Sequence, residues 1–298
     1  MPSNYHLEGK KMLKTCLITG ATSTISSEVI RHLNESGVHV RAMIRNPEKA
    51  EPLVRLGVDV VIGDLDKPET LPGAFKGIEN AFILTPPSDR APAQFSNALW
   101  AAKQAGVKHV VRLSAFGADY DAPTINGRHH ALSDNELQAS GLSWTIIRPH
   151  FFMQNLAMIA EGIRHESKVF FALADGKMGM IDTADIALFI AAVLEGDGHN
   201  GKIYTITGPE SVSMAEFADT LSRNLGKKVE YVPVSIDDAI AEMKVAGVDQ
   251  YTQNVLKDYL FEYSRNWGDV TTADFRNVTG KDPHSIDDFI KNHLEIFS

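Results

Sequence analysis

The chain has 298 residues, of which 44% are hydrophobic and 22% charged, with a formal net charge of −9. Such a length and balance suit a soluble globular protein holding one large domain, or one plus a small lobe. The acidity excludes a broad electrostatic grip on nucleic acid, and the single cysteine excludes an intramolecular disulfide.

From the N-terminus, Met1 to Lys14 is polar and lacks the apolar core of a signal peptide. Residues 1–13 are expected to form a flexible extension, with Met12 as an alternative start. Apolar strands are predicted at Thr15–Thr19, Val38–Ile44, Val58–Ile62, Asn80–Leu84, His109–Leu113 and Ser143–Ile147. Helical patterns separate them, at Ile25–Ser36, Pro47–Leu56, Pro68–Phe75, Ala91–Ala105 and Arg128–Ser140. Gly37, Gly57, Gly77, Gly106 and Gly141 each close a helix just before a strand, as C-cap glycines do. Strand–helix alternation with nearly all-apolar strands predicts an α/β fold, a Rossmann-type doubly wound parallel sheet. Cys16 falls inside the first strand, where a small buried apolar role is expected.

After Pro149 the alternation lapses. Helices are predicted at Phe151–Ile163 and Thr183–Leu194, with strands at Val169–Leu173 and Lys202–Thr207. The apolar run Ile186–Leu194 lies between Asp185 and Glu195 and is too short to span a bilayer. No membrane association is expected, and a cytoplasmic location fits the lone cysteine. The remainder reads as mostly helical, with capping-box spacings at Ser213…Glu216, Ser235…Asp238 and Ser285…Asp288. The acid pairs Asp237-Asp238 and Asp287-Asp288 fall in first helical turns, where they offset the helix dipole; no metal site is expected. The domain division is residues 14–150 for the Rossmann unit, completed by about 183–208, with 151–182 and 209–298 as a smaller, mostly helical lobe.

The stretch Cys16-Leu17-Ile18-Thr19-Gly20-Ala21-Thr22-Ser23-Thr24-Ile25-Ser26 carries the first functional signal. A strand, a tight turn and a helix start make an anion site, because the first helical N–H groups are unpaired and the helix dipole is positive there. Of the three glycines such turns use, only Gly20 is present; Ser23 and Ser26 stand at the other two positions. Gly20, Thr22, Ser23, Thr24 and Ile25 are the predicted pyrophosphate contacts. Ser23 either hydrogen-bonds the phosphate or crowds it, depending on its φ. The second strand ends in Arg45, with Lys49 one turn on, where NAD-selective sites place an acid. A guanidinium pairs with a 2′-phosphate, so NADP(H) is expected over NAD(H).

Together with Arg45-Asn46-Pro47, Gly63-Asp64-Leu65, Ser140-Gly141-Leu142-Ser143-Trp144-Thr145-Ile146-Ile147-Arg148-Pro149, Ile181-Asp182-Thr183-Ala184-Asp185-Ile186-Ala187 and Thr279-Gly280-Lys281-Asp282-Pro283, this turn resembles the NmrA-like branch of the atypical short-chain dehydrogenases/reductases. The resemblance covers about residues 13–298. It implies a seven-stranded or similar Rossmann domain, a C-terminal lobe, and a cleft between them that takes NAD(P)(H) and a small-molecule acceptor. It also implies that Asp64 and Leu65 flank the adenine, and that Thr85, Pro86 and Pro87 lie near the nicotinamide. Some members reduce quinones, dyes or phenylpropanoid-type substrates, and others are regulators that bind cofactor without known turnover.

The Tyr-x-x-x-Lys pair of short-chain dehydrogenases is absent in the expected region, since Tyr120 is followed by Thr124, which disfavours a sugar epimerase or dehydratase. Ser114 ends the fifth strand and is one catalytic candidate. His130 is the other: in alignment it stands where isoflavone-reductase relatives carry a catalytic lysine. Asp134, four residues on along one helix face, is placed to orient it for proton donation. Phe151, Phe152, Tyr259, Tyr263 and Trp267 are candidates for stacking on a flat acceptor. The leading expectation is an NADPH-dependent reductase of a flat conjugated acceptor such as a quinone. The alternative is an NADP(H)-sensing regulatory protein acting through protein partners.

Overall fold

A computed structural model describes residues 14–298. The flexible extension expected over 1–13, with Met12, lies outside the described residues. Seven strands form one parallel sheet: β1 (Thr15–Ile18), β2 (His39–Ile44), β3 (Asp59–Ile62), β4 (Asn80–Ile83), β5 (His109–Leu113), β6 (Ser143–Pro149) and, later in the chain, Lys202–Ile206. The spatial order is β3-β2-β1-β4-β5-β6 followed by Lys202–Ile206. The chain therefore winds outward from β1 in one direction and from β4 in the other. In a doubly wound sheet this reversal opens a crevice at the strands' C-terminal ends. Thr19 closes its floor: its hydroxyl donates to the Leu84 carbonyl at 3.0 Å and accepts from the Leu84 N–H at 2.8 Å.

The connecting helices are α1 (Thr24–Glu35), α2 (Glu51–Arg55), α3 (Leu71–Phe75), α4 (Ala91–Ala105) and α5 (Ile125–Ala139). The five cap glycines all take positive φ. Two predicted helices are shorter than expected, because Pro47–Lys49 and Pro68–Thr70 are 3-10 turns preceding α2 and α3. Pro52 and Pro72 explain the break: neither has an N–H to carry a helix through from the preceding turn. By contrast α5 starts a turn early, capped by the Thr124 hydroxyl, which accepts from the Gly127 N–H at 3.0 Å.

Beyond β6, the expected helix over Phe151–Ile163 is displaced. Phe152 bridges to Ile181, Met153–Ile159 forms a 3-10 segment, and only then does α6 (Ala160–Glu166) begin. Next come β7 (Lys168–Phe171), β8 (Lys177–Met178), α7 (Thr183–Glu195), β9 (the seventh sheet strand, Lys202–Ile206), β10 (Val212–Ser213) and α8 (Met214–Leu225). The chain finishes with β11 (Glu230–Pro233), α9 (Ile236–Val245), α10 (Gln250–Tyr263), α11 (Asp274–Thr279), α12 (Ile286–Asn292) and α13 (Leu294–Phe297). The pairings β7–β11, parallel, and β8–β10, antiparallel, were not legible in the mostly helical reading. The Ser213 and Ser285 capping boxes form in full.

Two apolar cores cover the faces of the main sheet, one including α1 and α7 and the other α3 and α4. A third is built wholly from residues between Met153 and Phe297. The Asp182–Asp185 motif fastens these parts. Asp182 caps α7 and accepts from Gln154 Nε2 at 2.7 Å. The buried Asp185 accepts from the His284 N–H at 2.7 Å and lies 2.8 Å from His284 Nδ1. No helix among the described residues is long and apolar enough to cross a membrane.

Candidate active site

A cavity of about 600 Å³ opens at the C-terminal ends of β1, β4, β5 and β6. The turn after β1 forms one end. Gly20 takes φ +57°, and a β-carbon there would meet Leu84 Cδ2 at 2.8 Å, so the turn needs glycine for both conformation and space. Ser23 stands at φ −78° in extended backbone as the N-cap of α1, which removes the concern about left-handed strain. Its Oγ accepts from the Ser26 N–H at 3.2 Å, leaving the hydroxyl proton free on the cavity wall. Ser26 is fully buried and donates to the Thr19 carbonyl at 3.0 Å, so serine is small enough for the helix–strand contact. The N–H groups of Thr24 and Ile25 have no acceptor among the described residues, and both residues line the cavity. Thr22 is exposed on the same turn, off the cavity wall. Free N–H donors at a helix start and a glycine-tight approach fit a pyrophosphate.

Arg45 and Lys49 are exposed beyond β2. The ion pairs of this region are Arg41–Asp59, Arg55–Glu51 and Arg90–Asp66, which leave both cations unpaired among the described residues. The Gln94 hydrogen bond, then Arg90 and Arg45, hold the Asp66 carboxyl below its ordinary value. Asp64 is engaged locally, accepting from the Asp66 N–H at 3.0 Å. The Leu65 side chain is buried in the core with Leu71 and Phe95. Thr85 and Pro86 lie on the cavity wall after β4.

At the cavity floor, the structure overturns the expected His130–Asp134 pair. Asp134 is fully buried and accepts from Arg112 Nη1 at 2.8 Å, Arg148 Nη2 at 2.8 Å and Ser114 Oγ at 2.9 Å. Ser114 has committed its only proton to that carboxylate, so it has none to donate to an acceptor. His130 instead sets Nδ1 3.3 Å from both terminal nitrogens of Arg112. Burial, then Arg112, His129 and Arg148, push the His130 imidazole well below its ordinary value, so it is neutral at physiological pH. It does not begin as the imidazolium acid that the sequence suggested. Burial also draws Arg112 down to about 10, high enough to stay protonated.

The wall opposite is aromatic. Tyr259 and Tyr263 stack with centroids 5.4 Å apart, His150 lies 5.5 Å from Tyr263, and Phe116 lies 4.4 Å from His150. Phe151 and Phe152 also reach the cavity. Trp267 stacks on Tyr263 at 5.5 Å and rests on Gly117, whose φ is +70°. A β-carbon on Gly117 would fall 2.2 Å from the indole ring. His150 accepts from the Phe151 N–H at 2.7 Å, and burial lowers its pKa to about 4. At the rim, the Tyr251 hydroxyl sits 3.3 Å from His129 Nδ1, and burial pushes that phenol up to about 12.

Sequence reading missed Arg112, Arg148, His150 and Tyr251. Two signals were available: Arg112, a lone charge in the otherwise apolar strand core Val110-Val111-Arg112-Leu113, and Arg148, the lone charge of Thr145-Ile146-Ile147-Arg148-Pro149.

With this geometry in view, the chain matches the NmrA-like family over residues 12–271. It belongs to that family. It is 34% identical over 281 residues to an NAD(P)H azoreductase of Xenophilus azovorans, covering 94% of this chain and 98% of that one. Among solved structures it is similar to the NADPH complex of an NADPH-dependent quinone oxidoreductase from Escherichia coli. That match has a TM-score of 0.87 at 26% identity, covering 94% and 99% of the two chains. A triphenylmethane reductase from Citrobacter sp. is comparable, with a TM-score of 0.86 at 26% identity and coverage of 94% and 99%. The NmrA-like Rossmann assignment from sequence is thereby established.

Proposed function

We propose that this NmrA-like chain is an NADPH-dependent reductase that delivers hydride to a flat, conjugated acceptor such as a quinone or an azo dye. One observation carries the reading: a single cavity joins the free N–H groups of Thr24 and Ile25 to the His130 floor and the Tyr259–Tyr263 wall. The azoreductase and quinone oxidoreductase names of its relatives point the same way.

The reduced nicotinamide supplies two electrons and one hydrogen, and solvent supplies the second proton that completes the reduced acceptor. Ser23 and the start of α1 hold the pyrophosphate, while Arg45 and Lys49 pair with the 2′-phosphate. Thr85 and Pro86 border the nicotinamide side. Tyr259 and Phe151 present apolar faces to a planar acceptor. His130 faces the acceptor atom on which negative charge develops.

The test is a titration with NADPH and NADH by nucleotide fluorescence, followed by NADPH oxidation against a panel of quinones and azo dyes. Arg45→Glu is expected to weaken NADPH about tenfold or more, roughly 1.4 kcal/mol, with little effect on NADH. Unchanged NADPH binding in that variant refutes the 2′-phosphate assignment. Tight cofactor binding with no turnover of any acceptor refutes the reductase reading.

A further inference from the structure

Arg112 is an expensive residue to hold where it is. Its side chain is 2% exposed, packed with Cζ 4.7 Å above the Phe95 ring, and its Nε has no hydrogen-bond partner among the described residues. A buried donor without a partner in a charged group costs stability, so packing alone gives no reason for it. What the position does accomplish is visible at the other end of the side chain. Both terminal nitrogens lie 3.3 Å from His130 Nδ1. A guanidinium has donors only, so Nδ1 must offer its lone pair, and the ring's one proton must be on Nε2. An imidazolium would turn an N–H against the guanidinium. His130 Nε2 has no hydrogen-bond partner among the described residues and is not sealed from the cavity that His130 lines.

The charges around this ring can be counted. Arg112 and Arg148 both bind the one carboxylate of Asp134, which leaves one net positive charge under the floor. Glu136, on the same helix as His130, is exposed and accepts from Ser96 Oγ at 2.7 Å, so solvent screens it. Among the described residues, no aspartate or glutamate lines the cavity. A neutral N–H donor backed by a buried cation is an arrangement that stabilises negative charge in front of it.

We propose that Arg112 is a positioning residue that locks His130 as a neutral Nε2–H donor. The cation beneath then directs the cavity to neutral or anionic acceptors whose reduced atom takes up negative charge, and against cationic dyes. This rests on the reductase reading for the acceptor class, but not for the tautomer. His130 keeps its proton throughout; it stabilises the anion that forms on the acceptor, and water then protonates that anion.

Ring-nitrogen NMR of the ¹⁵N-histidine protein, with His130 assigned from the His130→Gln difference, reads the tautomer without any turnover. Nδ1 is expected unprotonated and Nε2 protonated, without change between about pH 6 and 8. An imidazolium or an Nδ1–H ring overturns the proposal. Arg112→Met leaves Asp134 paired with Arg148 and Ser114, so no charge is stranded; there His130 is expected to populate both tautomers. An unchanged tautomer in the folded variant overturns the role of Arg112. Should that variant not fold, the unaltered protein's spectrum still decides the tautomer.

On a neutral quinone, His130→Leu is expected to lose about 10²-fold in kcat, and His130→Gln, which keeps an N–H donor, about tenfold or less. NADPH KM should hardly change in either. Equal losses in the two variants overturn the donor role. The kcat/KM preference for a neutral quinone over a cationic triarylmethane dye should fall about tenfold in Arg112→Met, and an unchanged preference overturns the charge selection. If no acceptor is turned over at all, the reductase reading fails while the tautomer result stands.

Discussion

Replacing Asp134 by alanine removes the carboxylate from beneath two guanidinium groups at once. Asp134 is fully buried and takes hydrogen bonds from Arg112, Arg148 and Ser114. Arg148 is partly exposed and can turn to solvent, but the Arg112 side chain at 2% exposure cannot. Removing one partner of a buried pair costs about 3–5 kcal/mol, chiefly because the other charge stays buried without compensation. At roughly 2 °C per kcal/mol for a chain of this size, the Tm should fall by about 6–10 °C. Differential scanning calorimetry and urea unfolding at neutral pH measure the change. The double variant Arg112→Met/Asp134→Leu provides the control, since it leaves no fully buried charge and should recover most of the loss. A loss below about 1 kcal/mol in Asp134→Ala would refute the reasoning, because it would mean that solvent already reaches Arg112.

Three further outcomes follow from named contacts. His109, His130 and His150 all have folded pKa values lowered mainly by burial, with His109 and His150 at about 4. The unfolded chain therefore binds protons at these rings below about pH 6.5 that the folded chain refuses, so stability falls as pH drops toward 4. Each ring contributes at most about 1.4 kcal/mol per pH unit, and His150→Phe should flatten the Tm–pH slope between about pH 6 and 4.5 by one such share. Gly117→Ala places a β-carbon 2.2 Å from the Trp267 ring at φ +70°. It should displace the indole, shift tryptophan fluorescence and cost about 1–2 kcal/mol from backbone strain alone; an unchanged emission spectrum would contradict the Gly117–Trp267 contact. Ser23→Ala removes the α1 cap, an expected loss of about 1 kcal/mol, and weakens NADPH if the free hydroxyl proton meets phosphate. Tighter NADPH binding by Ser23→Ala or Ser23→Gly would instead mean that the side chain crowds the pyrophosphate.

Much of the fold was legible because a buried parallel strand leaves a simple signature. Runs such as Val110-Val111 and Ile146-Ile147 are apolar on both faces, and helix-ending glycines mark the chain's return to the sheet. The failures share a different cause. Pro52 and Pro72 shorten helices whose apolar pattern alone ran through them. Glu230–Pro233 pairs with β7 as a short strand ending in proline, too brief to stand out from a turn. In the candidate site, helical spacing placed His130 and Asp134 on one face of α5, and that much is sound. The spacing could not show that Arg112, on β5, would reach the face first and take Nδ1 of one and Oδ1 of the other. Local periodicity reports which side chains share a surface, while hydrogen bonds on that surface go to whichever donor the tertiary fold delivers.

That distinction changes what the missing Tyr-x-x-x-Lys implies. Without such a pair, a reductase that protonates its acceptor directly needs another titrating acid, the role that helical spacing alone assigns to His130 beside Asp134. In the folded chain the aspartate is spent on two arginines, the serine proton on the aspartate, and the histidine lone pair on Arg112. On the proposed tautomer, these hydrogen bonds leave no proton on the floor poised for transfer. A site of this kind cannot hand over a proton and need not take one up between turnovers. It can offer a fixed dipole and a buried cation at the point where charge appears, which is the form of stabilisation that needs no reorganisation during the reaction. Acceptors whose reduced anions are readily protonated by water suit it best. For those acceptors kcat should be nearly flat from about pH 6 to 8, where a titrating His130 would give a slope approaching one.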